Sequence, residues 1–195
     1  LELAINSKLE IRNSKLLSMA VLETIRSLFV PIVDVDEEPI IPAALCEYKI
    51  KPLTMSQLPE VLRLNIRCFR NGDNYTKHTF NYLLGEPRTL SYQIVTDAGD
   101  MAAFAFVMIN DRNSAHLTTI GVAPEHRRRG LATQLLDHIE NALRAKEVST
   151  IMLEVRVGNI EAQQLYRRLG YFVVQRITRY YNNGEDCFLM MKALV

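Results

Sequence analysis

The chain has 195 residues, 48% apolar and 23% charged, enough core-forming material for a globular fold and unlike collagen, mucin-like or globally disordered sequences. At about 150 residues per domain, this length suits one domain with an appendage. Lys and Arg number 23 against 22 Asp and Glu, a formal charge of +1, which excludes a surface that coats nucleic acid or an anionic membrane as a whole.

Within residues 1–30, Leu17, Val21, Leu22, Ile25, Leu28 and Phe29 recur near helical spacing, with Asn13 or Ser14 as a candidate cap. Pro31, Pro39 and Pro42 then bracket the acidic run Asp34, Asp36, Glu37 and Glu38, the composition of a linker. Residues 1–46 therefore read as a helical extension with an acidic, proline-containing linker, and residues 47–195 as the main domain. The stretch 16–33 is interrupted by Glu23, Arg26 and Pro31, so it does not predict a membrane span, and it lacks the order of a signal peptide. Cys46, Cys68 and Cys187 are odd in number and dispersed, which fits a reducing compartment and predicts a cytoplasmic protein.

From residue 47 onward, short strand patterns alternate with helical ones. Residues 48–53 predict a strand, and Thr54 with Gln57 forms a capping box before a helix bearing Leu58, Val61, Leu62 and Ile66. Residues 74–84 predict a second helix after the Asn71-Gly72-Asp73 turn. Residues 90–96 and 101–110 predict a hairpin across Asp97-Ala98-Gly99-Asp100, with another strand at 115–122. Leu131, Leu135, Leu136, Ile139, Ala142 and Leu143 mark an amphipathic helix, followed by a strand at 150–157. Asn159 can cap a helix carrying Ala162, Leu165, Tyr166 and Leu169, with Gly170 at its left-handed end. Strands at 171–180 and 187–194 flank Asn182-Asn183-Gly184. The sum is an α/β fold with a mixed sheet.

Between the strand ending at Val122 and the long helix lies Pro124-Glu125-His126-Arg127-Arg128-Arg129-Gly130-Leu131-Ala132. A helix N-terminus offers unpaired amide protons, and the small residues Gly130 and Ala132 let a phosphate come close to them. Three arginines supply charge for a pyrophosphate, though the same run also suits a solvated basic turn. No GxxxxGK[ST] or GxGxxG is present.

Arg127-x-x-Gly130-x-Ala132, set between strand and helix, resembles the acyl-CoA pyrophosphate motif of the GNAT N-acetyltransferases. Leu153-Glu154-Val155-Arg156-x-x-Asn159-x-x-Ala162-x-x-Leu165-Tyr166-x-x-x-Gly170-Tyr171 is similar to the second half of that core in the branch that acetylates protein N-termini. Tyr180-Tyr181-Asn182-Asn183-Gly184-Glu185-Asp186 resembles the tyrosine pair and GED turn of the same branch. The likeness is to RimI-type ribosomal-protein alanine N-acetyltransferases and related catalytic subunits. It spans about residues 47–195 and leaves 1–46 outside.

The resemblance implies a GNAT fold in which the strands at 117–122 and 150–157 splay around acetyl-CoA. It implies that Ile120 and Val122 bind the pantetheine arm through their backbone. Arg127, Arg128, Arg129, Gly130, Leu131 and Ala132 would hold the pyrophosphate, and Asn159 would also touch the cofactor. Glu154, inside an apolar strand where burial disfavours the charged carboxylate, would be the general base. Its bland alternative is a solvent-facing carboxylate paired with Arg156 or Arg167. Tyr166, on a face that otherwise reads as core, would protonate the departing thiolate. Asn74, Tyr75, Tyr180 and Tyr181 would hydrogen-bond a peptide.

Direct transfer to a neutral amine needs neither a metal nor an acyl-enzyme. A free α-amine with a pKa of about 7.7–8.0 is roughly a tenth neutral at pH 7, whereas a lysine at about 10.4 is neutral only in a few parts per ten thousand. One modest base therefore suits an N-terminal amine better. His78, His116, His126 and His138 lack metal-ligand spacing, and neither Cys68 nor Cys187 has a histidine partner in sequence. The partner implied is a peptide or protein N-terminus, a ribosomal protein among the candidates, with homodimerisation left open and no nucleic acid or membrane involved. The rival readings are an N-acetyltransferase of small amines, polyamines or antibiotics, and a non-catalytic acyl-CoA-binding module.

Overall fold

Among the described residues, apolar-rich stretches build seven strands, β1 (Tyr48–Pro52), β2 (Thr89–Thr96), β3 (Met101–Ile109), β4 (Ser114–Val122), β5 (Thr150–Arg156), β6 (Phe172–Ile177) and β7 (Cys187–Ala193). The α-helices among the described residues are α1 (Leu58–Cys68), α2 (Lys77–Gly85), α3 (Leu131–Arg144) and α4 (Ile160–Arg168). The computed structural model describes residues 40–69, 74–110 and 113–194. The helix expected within residues 1–30 and the Asn71-Gly72-Asp73 turn lie outside these residues.

The strands form one sheet in the order β1-β2-β3-β4-β5-β7-β6. All neighbouring pairs are antiparallel except β4 with β5. On one face, Val61 and Leu64 of α1 and Phe80 and Leu83 of α2 pack on Phe104 and Phe106 of β3. On the other, the apolar stripe of α3 covers Ala103, Ala105, Val107, Ile151 and Leu153. Leu135, Leu136, Ile139 and Leu143 of that stripe are fully buried, each contributing about 1.5–3 kcal/mol of burial.

The expected capping box is present, with the Thr54 backbone N–H donating to Gln57 Oε1 at 3.0 Å. Thr76 caps α2 by accepting from the Thr79 N–H, so Asn74 and Tyr75 precede the helix rather than begin it. Gly170 has φ +90° after α4, as a left-handed terminus requires. The strand expected at 171–180 is shorter, because Arg179 takes φ +53° and its N–H bonds Asp186 Oδ1 at 2.9 Å. This leaves Tyr180 and Tyr181 in the connecting turn.

Two irregularities position the site. In the β3–β4 register Phe106 faces Thr119 and Val107 faces Leu117, so Thr118 is an extra residue in β4. Such a bulge bends its strand and re-aims the side chains beyond it. Ala115 and Leu117 face the α3 core before the bulge, and Ile120 and Val122 pack on it afterwards. The parallel β4–β5 ladder contains only Ser114↔Thr150, Ala115↔Ile151 and His116↔Met152. Beyond that point the two strands part.

Candidate active site

The gap opened by the parting strands is a cleft of about 670 Å³ lined by residues 116–122 of β4, Leu153 to Arg156 of β5, the first turn of α3 and one face of α4. The approach to α3 is strongly curved: Arg128 has φ +63° and Gly130 φ +76°. Gly130 stands at the N-cap with no side chain satisfying the first amides of α3, whereas Asn159 Oδ1 accepts from the Ala162 N–H at the start of α4. The opening of α3 thus keeps its amide donors and positive dipole end directed toward the cleft, a setting for a phosphate group. Of the residues that the resemblance assigns to acyl-CoA, Ile120, Val122, Arg127, Arg128, Gly130, Leu131, Ala132 and Asn159 all line this cleft. The Val122 carbonyl already accepts from Cys68 Sγ and Arg127 Nε, each at 3.3 Å, which leaves its N–H as the group to offer.

Arg129 departs from the expected set. Its guanidinium donates to the carbonyls of Ala43 and Ala44 and to the Tyr48 hydroxyl, and its side chain is absent from the cleft wall. His126 lines the cleft but is buried, with Nδ1 2.9 Å from the Tyr48 hydroxyl. Arg128 forms only an exposed pair with Glu161 at 3.4 Å, and such pairs contribute little.

Glu154 follows the last residue of β5 paired with β4 by two positions, so it projects on the same face as Met152. His116, on β4, meets it there: His116 Nε2 lies 2.6 Å from Glu154 Oε2, and both side chains are 9% exposed. This pair replaces the expected Arg156 or Arg167 alternative. Burial disfavours the charged imidazole, but the charge of Glu154 and its hydrogen bond outweigh that effect and raise the His116 pKa above its ordinary value. At Nε2 the histidine acts as donor to the carboxylate.

Tyr166 reaches the cleft from α4 on the opposite face of the sheet, against Leu153 and Val155 and edge-tilted on Tyr171 at 5.6 Å between centroids. Burial alone raises its pKa far above the ordinary phenol value. Its hydroxyl is therefore protonated at neutral pH and able to donate. The carboxylate and the phenol thus flank one gap from two sides.

Tyr180 and Tyr181 border the cleft on the Glu154 side. Burial, then the nearby Glu154 and Tyr75, raise the Tyr180 pKa. The turn bearing this pair is fastened to the end of β5 through Glu185. One Glu185 oxygen accepts from Arg156, the other from the Gly158 N–H at 2.9 Å, and the Tyr181 N–H bonds the Glu185 carbonyl at 3.0 Å. The Arg156 guanidinium lies 3.7 Å from the Tyr181 ring centroid, a cation–π contact. Asp186 holds the other side, accepting from Arg176 at 2.8 Å and from the Arg179 N–H. Tyr75 is buried in the cleft wall and donates to the carbonyl of the bulged Thr118 at 3.0 Å. Asn74, by contrast, does not line the cleft.

Burial pushes the thiol pKa up to about 11 for Cys68 and about 12 for Cys187, so both remain protonated and poor nucleophiles. Sequence reading missed His116, whose partner is 38 residues away. Among the described residues no helix is long and apolar enough to cross a membrane.

Residues 58–171 match the Acetyltransferase (GNAT) family. The chain is 33% identical over 144 residues to the [ribosomal protein bS18]-alanine N-acetyltransferase of Escherichia coli strain K12, covering 72% of this chain and 94% of that protein. It is 28% identical over 162 residues to an N-alpha-acetyltransferase of Sulfurisphaera tokodaii, covering 76% and 94% respectively. Its fold superposes on the crystal structure of the ribosomal-protein-S18-alanine N-acetyltransferase from Escherichia coli with a TM-score of 0.70 at 32% identity, covering 76% of this chain and 94% of that one.

Proposed function

Because the chain belongs to the Acetyltransferase (GNAT) family, we propose that it transfers acetyl from acetyl-CoA to the N-terminal α-amine of a protein, with the alanine of a ribosomal protein as the first candidate. The names of the relatives, a ribosomal-protein alanine N-acetyltransferase and an N-alpha-acetyltransferase, support this choice. The observation that carries it is Glu154 at the head of the cleft, where the strands part and the tyrosine turn closes over one side.

Acetyl-CoA supplies the acetyl group as a thioester, activated for attack without a metal. Glu154 receives the proton that the amine sheds as its nitrogen bonds the acetyl carbon. His116 occupies Oε2 and so directs Oε1 toward the amine. Tyr166 provides the proton for the sulfur that leaves, and the buried phenol is suited to hold it until then. Tyr180, Tyr181 and Tyr75 confine the first residues of the peptide against the carboxylate.

Turnover of acetyl-CoA with short peptides that differ only in their first residue, beside spermidine and free lysine, tests the reading. Preferred acetylation of peptides is expected, with alanine first among them. Turnover confined to spermidine or lysine would overturn the peptide assignment, and no turnover alongside tight CoA binding would favour the non-catalytic module.

A further inference from the structure

Residues 40–46 lie outside the family match at 58–171, and sequence reading makes them linker. The backbone of residues 43 and 44 is docked instead. The Ala43 N–H donates to the Glu125 carbonyl at 3.0 Å, and the Arg129 guanidinium grips the carbonyls of Ala43 and Ala44. Arg129 also donates to the Tyr48 hydroxyl at 2.8 Å, which in turn meets buried His126 at 2.9 Å with the two rings edge-on. These contacts fall on Glu125, His126 and Arg129, in the loop that ends at the uncapped start of α3; Arg129 and residues 43 and 44 do not line the cleft, whereas His126 does.

A loop holding left-handed Arg128 and Gly130 one residue apart gains little from its own short-range geometry, since a non-glycine residue at φ +63° is strained. Something beyond the loop must hold that shape. The segment ahead of β1 does so through both its N–H and its carbonyls, with the loop's own third arginine as the anchor. Arg129 has therefore exchanged a direct role toward anions for an indirect one.

We infer that residues 43 and 44 form a strap that keeps the phosphate-facing loop in its binding conformation, with Arg129 as a positioning residue acting through that strap. The inference rests on the reading of the cleft as the acetyl-CoA site. It makes the affinity for the co-substrate depend on a segment that does not border the cleft.

Calorimetric titration of the full chain with CoA tests it, using Arg129→Ala, Ala43→Pro, which deletes the N–H bonded to Glu125, and Tyr48→Phe. Arg129→Ala and Ala43→Pro should each raise the Kd for CoA about five- to tenfold, and the double variant should be no weaker than the weaker single one, because both sever one unit. Arg129→Lys, which retains a donor for the carbonyls, should recover part of the loss. KM for acetyl-CoA should rise with Kd, while kcat at saturating acetyl-CoA and KM for peptide hold. Hydrogen exchange at residues 127–132 in the CoA-free chain should accelerate in all the strap variants. Loss of affinity in Arg129→Ala with none in Ala43→Pro, or fully additive losses, would overturn the strap in favour of direct phosphate contact. Faster exchange in the strap variants of a chain whose wild type binds no CoA would sink the cleft assignment and the affinity claim with it.

Discussion

His116, in the last residue pair before β4 and β5 diverge, meets Glu154, two residues beyond its register partner Met152, at 2.6 Å, so the carboxylate at the mouth of the cleft is held by an imidazole from the neighbouring strand. Removing its proton-accepting ability without changing its shape isolates the chemistry. Glu154→Gln should lower kcat by roughly 10²–10⁴-fold, and Tyr166→Phe should lower it as well, both with little change in Kd for CoA. Steady-state kinetics beside CoA titration measures this, and wild-type turnover in both variants would remove the assigned roles.

The same pair makes stability depend on pH. Since Glu154 raises the His116 pKa in the folded protein, the charged imidazole is favoured by folding. That stabilisation is complete below the unfolded value of about 6.5 and is lost as pH rises through the folded value. The Tm of the wild type should therefore fall across this interval relative to His116→Gln. Parallel curves for the two proteins would exclude the coupling.

Gly121 is required by a neighbour rather than by its own backbone. A Cβ there would lie 2.7 and 2.9 Å from ring atoms of Phe104 and 3.1 Å from Cys68 Sγ. Phe104 is fully buried among other aromatic rings, so Gly121→Ala should destabilise the fold by about 1–3 kcal/mol. Urea unfolding monitors the change, and an unaltered midpoint would mean that β4 yields instead.

Gly158 presents the opposite case. A Cβ there meets only Glu185 Oε1, at 2.9 Å, the far end of a side chain that can swing away. Gly158→Ala should leave the urea midpoint nearly unchanged but loosen the tyrosine turn, which stays tied to β5 through Arg156. The loss of one hydrogen bond worth about 1 kcal/mol would raise KM for peptide about fivefold, with KM for acetyl-CoA unaffected. A rise in both constants would show that the turn does not act on peptide alone.

The sheet, the long helix and the uncapped loop were legible because each rests on local signals: the unbroken apolar run Met101–Ile109, helical spacing from Leu131 to Leu143, and the Arg127-x-x-Gly130-x-Ala132 pattern. What escaped sequence reading is decided by contacts between distant segments. His116 reads as an isolated histidine until the parallel register of β4 and β5 brings it to Glu154. Arg129 looks equivalent to its two neighbours, and its direction is set by carbonyls 85 and 86 residues upstream. The early end of β6 follows from the bond between Asp186 and the backbone of Arg179, which no propensity scale contains.

The three-residue β4–β5 ladder leaves strand edges in the interior of the sheet, not at its rim. Open edges ordinarily recruit strands from other molecules and lead to aggregation. Here β3 and β7 flank the opening, and α3 and α4 close it from one face. Reactive backbone is thereby displayed to a thin thread and hidden from self-association.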